Sequence, residues 1–132
     1  LCQDVIETTQ KYSAKFIYTL GGFHTNRVLK NKPRTYITTT SKELRKQMEK
    51  LELEMTPQKS LITGFNGLIL GFAKKYEIQG IGMYGELNKP EIPQYRAAIS
   101  IIKTIEKLTY RKFGSTEELE MLAQEVDQKF RN

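Results

Sequence analysis

Three polar side chains fall where strands of this chain are expected to end: His24, Asn66 and Glu86. An imidazole can take and return a proton near neutral pH. A carboxylate can hold a hydroxyl, and a side-chain amide can orient either group. Gathered at the C-terminal edge of a sheet, the three would line a small-molecule pocket with His24 as acid/base and Glu86 binding a hydroxyl. That is the setting of a phosphorylase- or hydrolase-like enzyme, and it requires all three within hydrogen-bond reach. Each residue also has a plainer reading. His24 reads as a solvated loop residue, and Asn66 as the cap of the helix that follows or a left-handed turn residue. Glu86 reads as a carboxylate of a surface loop or an intersubunit contact. The plainer readings are preferred, so no catalytic residue is assigned and no cofactor is expected. No G-x-S-x-G occurs to place a serine nucleophile. One Cys and one His exclude a zinc site of the Cys/His type.

Glycines frame these positions. Gly21 and Gly22 follow the first apolar strand, Gly64 and Gly67 enclose Phe65-Asn66, and Gly85 precedes Glu86. They read as turn residues that allow tight passage from strand to helix. The alternative is an anion site on the backbone N–H groups of the helix after Gly67. Gly-Phe-Asn-Gly is neither a phosphate-loop nor a dinucleotide-binding pattern, so the turn reading stands.

The elements that must position these residues follow from pattern. Val5, Ile6 and Thr9 mark one side of a helix over Gln3–Tyr12. Ala14–Leu20 is aromatic and β-branched and reads as a strand stopped by Gly21-Gly22. Residues 23–33 form a loop, and Thr35–Thr39 a second strand. Thr40-Ser41-Lys42-Glu43 is a capping box with Thr40 as cap, opening a helix to Leu53 whose apolar spacing extends to Met55. Ser60–Thr63 is a third strand, followed by a very apolar helix over Leu68–Tyr76 that is expected to be buried on more than one side. A fourth strand, Ile78–Tyr84, ends at a Gly-Glu turn. Pro93 suits the first turn of a long helix reaching Lys112, with Tyr95, Ala98, Ile99, Ile102, Ile105 and Leu108 inward. Ser115 and Glu118 form a second capping box. The last helix turns Leu119, Leu122, Val126 and Phe130 inward. Strands alternating with helices indicate an α/β layered fold around a mostly parallel sheet.

The chain has 132 residues, one domain's worth, of which 39% are hydrophobic and 27% charged, as in a folded globular domain. Its opening residues are too polar for a signal peptide, and no apolar run reaches membrane-spanning length. A single cysteine, Cys2, fits a reducing cytoplasm. The net charge of +6 is spread along the chain. Only residues 26–34 form a compact basic segment without carboxylates, with Tyr36 as the neighbouring aromatic. It reads as a solvated loop, and nucleic acid is not expected as a partner.

Thr19-Leu20-Gly21-Gly22, Ile62-Thr63-Gly64-Phe65-Asn66-Gly67-Leu68-Ile69-Leu70, Gly80-Ile81 to Gly85-Glu86, and Ala97-Ala98 resemble, in order and spacing, the proteasome assembly chaperone family. The likeness runs over Ala14–Leu108 and is strongest to archaeal members similar to the second subunit of the eukaryotic chaperone pair. It implies a three-layer α/β/α sandwich of phosphorylase/hydrolase-like topology. It also implies homo-oligomer formation and non-enzymatic binding of proteasome core subunits. Members are usually longer, and the matching part is their C-terminal portion. The chain, opening on Leu1, is therefore expected to be a single α/β domain over residues 1–132 from a longer protein. Some archaeal members end in a hydrophobic residue, a tyrosine and a last residue that dock between proteasome α-subunits. Here Phe130-Arg131-Asn132 puts arginine in the tyrosine's place, so the resemblance does not carry tail docking to this chain.

Overall fold

The computed structural model describes residues 1–25, 32–56, 65–89 and 91–130. The elements are α1 (Cys2–Lys11), β1 (Phe16–His24), β2 (Thr35–Thr39), α2 (Lys42–Lys50), β3 (Glu54–Met55), α3 (Phe65–Lys75), β4 (Gln79–Leu87), α4 (Tyr95–Thr109) and α5 (Glu117–Lys129). The strand expected over Ser60–Thr63 lies outside the described residues. The fold class is α/β, as the alternation of elements indicates.

The described strands form an open sheet in the order β1-β4-β2-β3. Parallel pairing puts Tyr36 of β2 opposite Glu54 of β3 and Ile37 opposite Met55. Beside β4, the Arg34 carbonyl accepts from the Glu86 N–H at 2.9 Å, and the Gly80 carbonyl accepts from the Thr40 N–H at 3.1 Å. Partners thus run in opposite directions along the two chains, so β2 and β4 are antiparallel. At the other side of β4, the Thr25 N–H donates to the Leu87 carbonyl at 2.8 Å, where both strands end, which sets β1 parallel to β4. The sheet is mixed, and the expectation of parallel neighbours does not hold for β2 with β4. Residues 25–34 alone join β1 to β2, whereas a parallel return needs about a dozen residues or more.

By contact the chain divides into two compact units, Leu1–Gly21 with Tyr36–Met83, and Gly22–Thr35 with Tyr84–Asn132. In the first, α1 packs on α3, and Cys2, Ile6, Ile69 and Ala73 are buried together. Val5, Ile17, Phe72, Tyr76 and Ile78 close around them. The α1 face expected from Val5, Ile6 and Thr9 is the one used. Thr9 satisfies its hydroxyl locally, by donating to the Val5 carbonyl at 2.8 Å. The apolar α3 is buried on one side only: Ile69, Leu70 and Ala73 face inward, while Phe65 and Leu68 are exposed.

In the second unit α5 packs along α4, with Ala97, Ile99 and Ala123 buried. A two-toothed ion pair joins the helices, Arg96 Nη2 to Asp127 Oδ2 at 2.7 Å and Nη1 to Oδ1 at 3.0 Å. Leu119, Leu122 and Val126 are half-buried. Phe130 is exposed, contrary to expectation, because α5 has ended and Phe130 is its C-cap.

Several boundaries differ from those expected. Ser41, not Thr40, caps α2 by accepting from the Leu44 N–H at 3.1 Å. The Thr40 hydroxyl is used by the Gly80 N–H instead, at 3.0 Å. Pro93 lies outside α4, whose N-cap is Gln94. The expected box at Ser115 is a local turn, with the Ser115 hydroxyl accepting from the Glu117 N–H at 3.1 Å. The α2 pattern does not extend to Met55, because Met55 enters β3 beside Ile37.

Three helices stop in the same way. After α1 the Ser13 N–H bonds the Gln10 carbonyl and Ala14 bonds Thr9. After α2 Glu52 bonds Glu49 and Leu53 bonds Met48. After α3 Glu77 bonds Lys74 and Ile78 bonds Ala73. These are Schellman closures, which need one left-handed residue and usually take glycine. Here Ser13, Glu52 and Glu77 hold φ values of 53°, 59° and 59°. An L-residue in that conformation costs on the order of 1–2 kcal/mol, partly offset by glycine's greater freedom when unfolded. Glu77→Gly is therefore expected to stabilise the protein by about 0.5–1 kcal/mol, read as a higher thermal midpoint. A lower midpoint would show that the Glu77 side chain contributes more than its backbone costs.

Candidate functional site

The three candidate residues meet three different environments. His24 is the last residue of β1 and is exposed, on the strand rather than in a loop. Asn66 lies in the first turn of α3 with helical backbone, so it is neither a cap before the helix nor a left-handed turn. Its amide donates to the Leu20 carbonyl at 2.8 Å, tying the start of α3 to β1. Glu86 is inside β4 and 0% exposed. It is not in a surface loop.

Glu86 is held by backbone. Its Oε1 accepts from the Arg34 N–H at 2.6 Å, while its own N–H donates to the Arg34 carbonyl at 2.9 Å. One residue thus satisfies the donor and the acceptor of the chain entering β2. Charge-assisted bonds of this length are among the stronger hydrogen bonds, and a buried carboxylate needs such donors. Next along β2, the buried Thr35 hydroxyl meets the Ser100 hydroxyl of α4 at 2.6 Å. Thr35 and Ser100 are not among the candidate residues of the sequence, and Arg34 enters there only as the end of the basic segment 26–34. The available signal was the Thr35–Thr39 strand pattern, which places Arg34 at a strand start.

The framing glycines are mostly not turn residues. Gly21 and Gly22 lie within β1, which continues to His24. A methyl group at Gly22 would come within 3 Å of the Leu87 side chain. Gly85 lies within β4 and makes room for α4: a Cβ there would sit 3.1 Å from Ala97 Cβ and 3.2 Å from Ile101 Cδ1. Gly67 is helical, in the first turn of α3. Gly64 lies outside the described residues. Close approach, of the β4 side chain Leu87 at Gly22 and of α4 at Gly85, is what these two glycines allow, rather than positive φ.

Among the described residues, no three His, Cys, Asp or Glu side chains are grouped to hold a metal ion. No helix among them is long and apolar enough to cross a membrane. The arrangement around Glu86 fixes a strand; its carboxylate faces no solvent and meets no open surface.

Comparison with known proteins adds four results. The chain is 30% identical over 129 residues to MJ1210, an uncharacterized protein of Methanocaldococcus jannaschii, covering 98% of this chain and 46% of that protein. The crystal structure of Pyrococcus furiosus PbaB, an archaeal proteasome activator, superposes with a TM-score of 0.86 at 21% identity, over 98% of this chain and 55% of that one. P. furiosus PbaA, an archaeal homolog of proteasome-assembly chaperone, gives 0.82 at 22% identity, over 98% and 56%. The chain spans about half the length of each of these relatives. Its full extent, residues 1–132, matches the model of the PAC2 family, and to that family the chain belongs.

Proposed function

We propose that this chain acts without bond chemistry, as an assembly chaperone or adaptor that binds proteasome core subunits. The observation that carries the reading is the PAC2 match over residues 1–132. The fold shared with PbaB and PbaA supports it. The burial of Glu86 supports it further, since the one carboxylate offered for a pocket is spent on the Arg34 backbone. The finer features proposed with this reading are a three-layer sandwich of phosphorylase/hydrolase-like topology, self-association, an archaeal source and a cytoplasmic location. Recognition would be by shape and side-chain complementarity, independent of nucleotide hydrolysis. Capture of purified archaeal proteasome core subunits on the immobilised chain is the expected result. Failure to retain any core subunit would remove the proposed partner.

A further inference from the structure

We infer that the link between α4 and α5, Tyr110-Arg111-Lys112-Phe113, is the contact that seats a partner protein, through an apolar pocket rimmed by carboxylates; this rests on the function proposed above. The helix expected to reach Lys112 stops at Thr109. Tyr110 then takes φ 56° and ψ 31°, a left-handed conformation that is an outlier for a bulky side chain, and it is 85% exposed. Left-handed residues also follow α1, α2 and α3, at Ser13, Glu52 and Glu77, but among the described residues only Tyr110 holds an aromatic ring in that conformation. Phe113 is 59% exposed and is held in place by its N–H, which donates to Glu106 Oε2 at 2.9 Å. Between the two rings Arg111 and Lys112 are exposed, and neither pairs with a carboxylate among the described residues. Tyr and Arg are among the residue types that dominate protein–protein hot spots, and two unneutralised cations beside the rings fit an acidic rim.

Tyr110→Gly separates docking from folding, because it relieves the left-handed strain while removing the anchor. Its thermal midpoint is expected to rise, and its affinity for proteasome core subunits to fall about tenfold or more. Phe113→Ala should weaken binding in the same direction. Arg111→Glu with Lys112→Glu should weaken it and flatten its dependence on salt. If the wild-type chain retains the subunits and Tyr110→Gly retains them equally well, this inference fails while the proposed function stands. If the wild-type chain retains none, both fail. Binding of a single-stranded oligonucleotide that the Arg111/Lys112 reversal abolishes, with subunit capture unchanged, would also overturn it.

Discussion

Glu86→Ala is expected to destabilise the protein by about 1–3 kcal/mol through the orphaned Arg34 N–H alone, with the emptied volume adding to that loss. The side chain is 0% exposed, and its Oε1 is the acceptor that the fold supplies to this N–H. The effect should appear as a lower urea midpoint at an unchanged slope. Glu86→Gln keeps an acceptor oxygen of similar reach and is expected to lose less. Equal losses for the two variants would mean that charge, not the hydrogen bond to Arg34, is what the site uses. An Ala variant that unfolds at the wild-type midpoint would show that the strand start does not depend on this carboxylate.

Ile6→Ala is expected to cost about 2–5 kcal/mol, the range for emptying a well-packed aliphatic site. Ile6 is 0% exposed and shares its surroundings with Ile69, Ala73 and Cys2. The consequence is local before it is global. A helix of 10 residues is too short to persist alone in water, so α1 exists because it is packed. Amide hydrogens of α1 should therefore lose exchange protection ahead of those of β4. Uniform loss of protection across both elements would instead mean that α1 and the sheet unfold as one.

Where side-chain periodicity alone decides structure, the sequence could be read closely. The α1 face and the strand over Thr35–Thr39 follow from spacing: Ile6 is buried with Val5 packed against its cluster, and β2 covers the five residues expected, whereas the apolar α3 is buried on one side only. The misreadings share a cause. Gly21-Gly22 and Gly85-Glu86 carry local turn chemistry, yet both pairs stay in strands because distant backbone completes their pairing: Arg34 for Glu86, and Thr25 with Leu87 at the ends of β1 and β4. The two-residue β3 was hidden inside an apparent helical repeat, since Met55 fits both patterns and only Ile37 across the ladder decides. The cap of α2 shifted by one residue because Thr40 is engaged by Gly80 of β4. Of the three candidate site residues, the chain order placed His24 correctly at a strand end. It could not show that Glu86 is buried, because β4 runs on past Tyr84 to Leu87 and is buried without alternation from Gly80 to Glu86. The family resemblance was legible because it rests on the order of motifs, which survives such shifts.

The strand order also has a bearing on when this protein can fold. Among the described strands, β4 is the last in sequence but lies between β1 and β2. On a growing chain, β1 and β2 are therefore without their common neighbour until residues 79–87 have emerged. Closure of the sheet waits on contacts 40 and 52 residues apart in sequence (Thr40 with Gly80, Arg34 with Glu86), the long-range kind that slows folding. Until then the aromatic and β-branched run at the start of β1 stays available to other chains. A protein read here as an assistant to assembly would thus pass through a stage of synthesis in which it is itself in need of shielding.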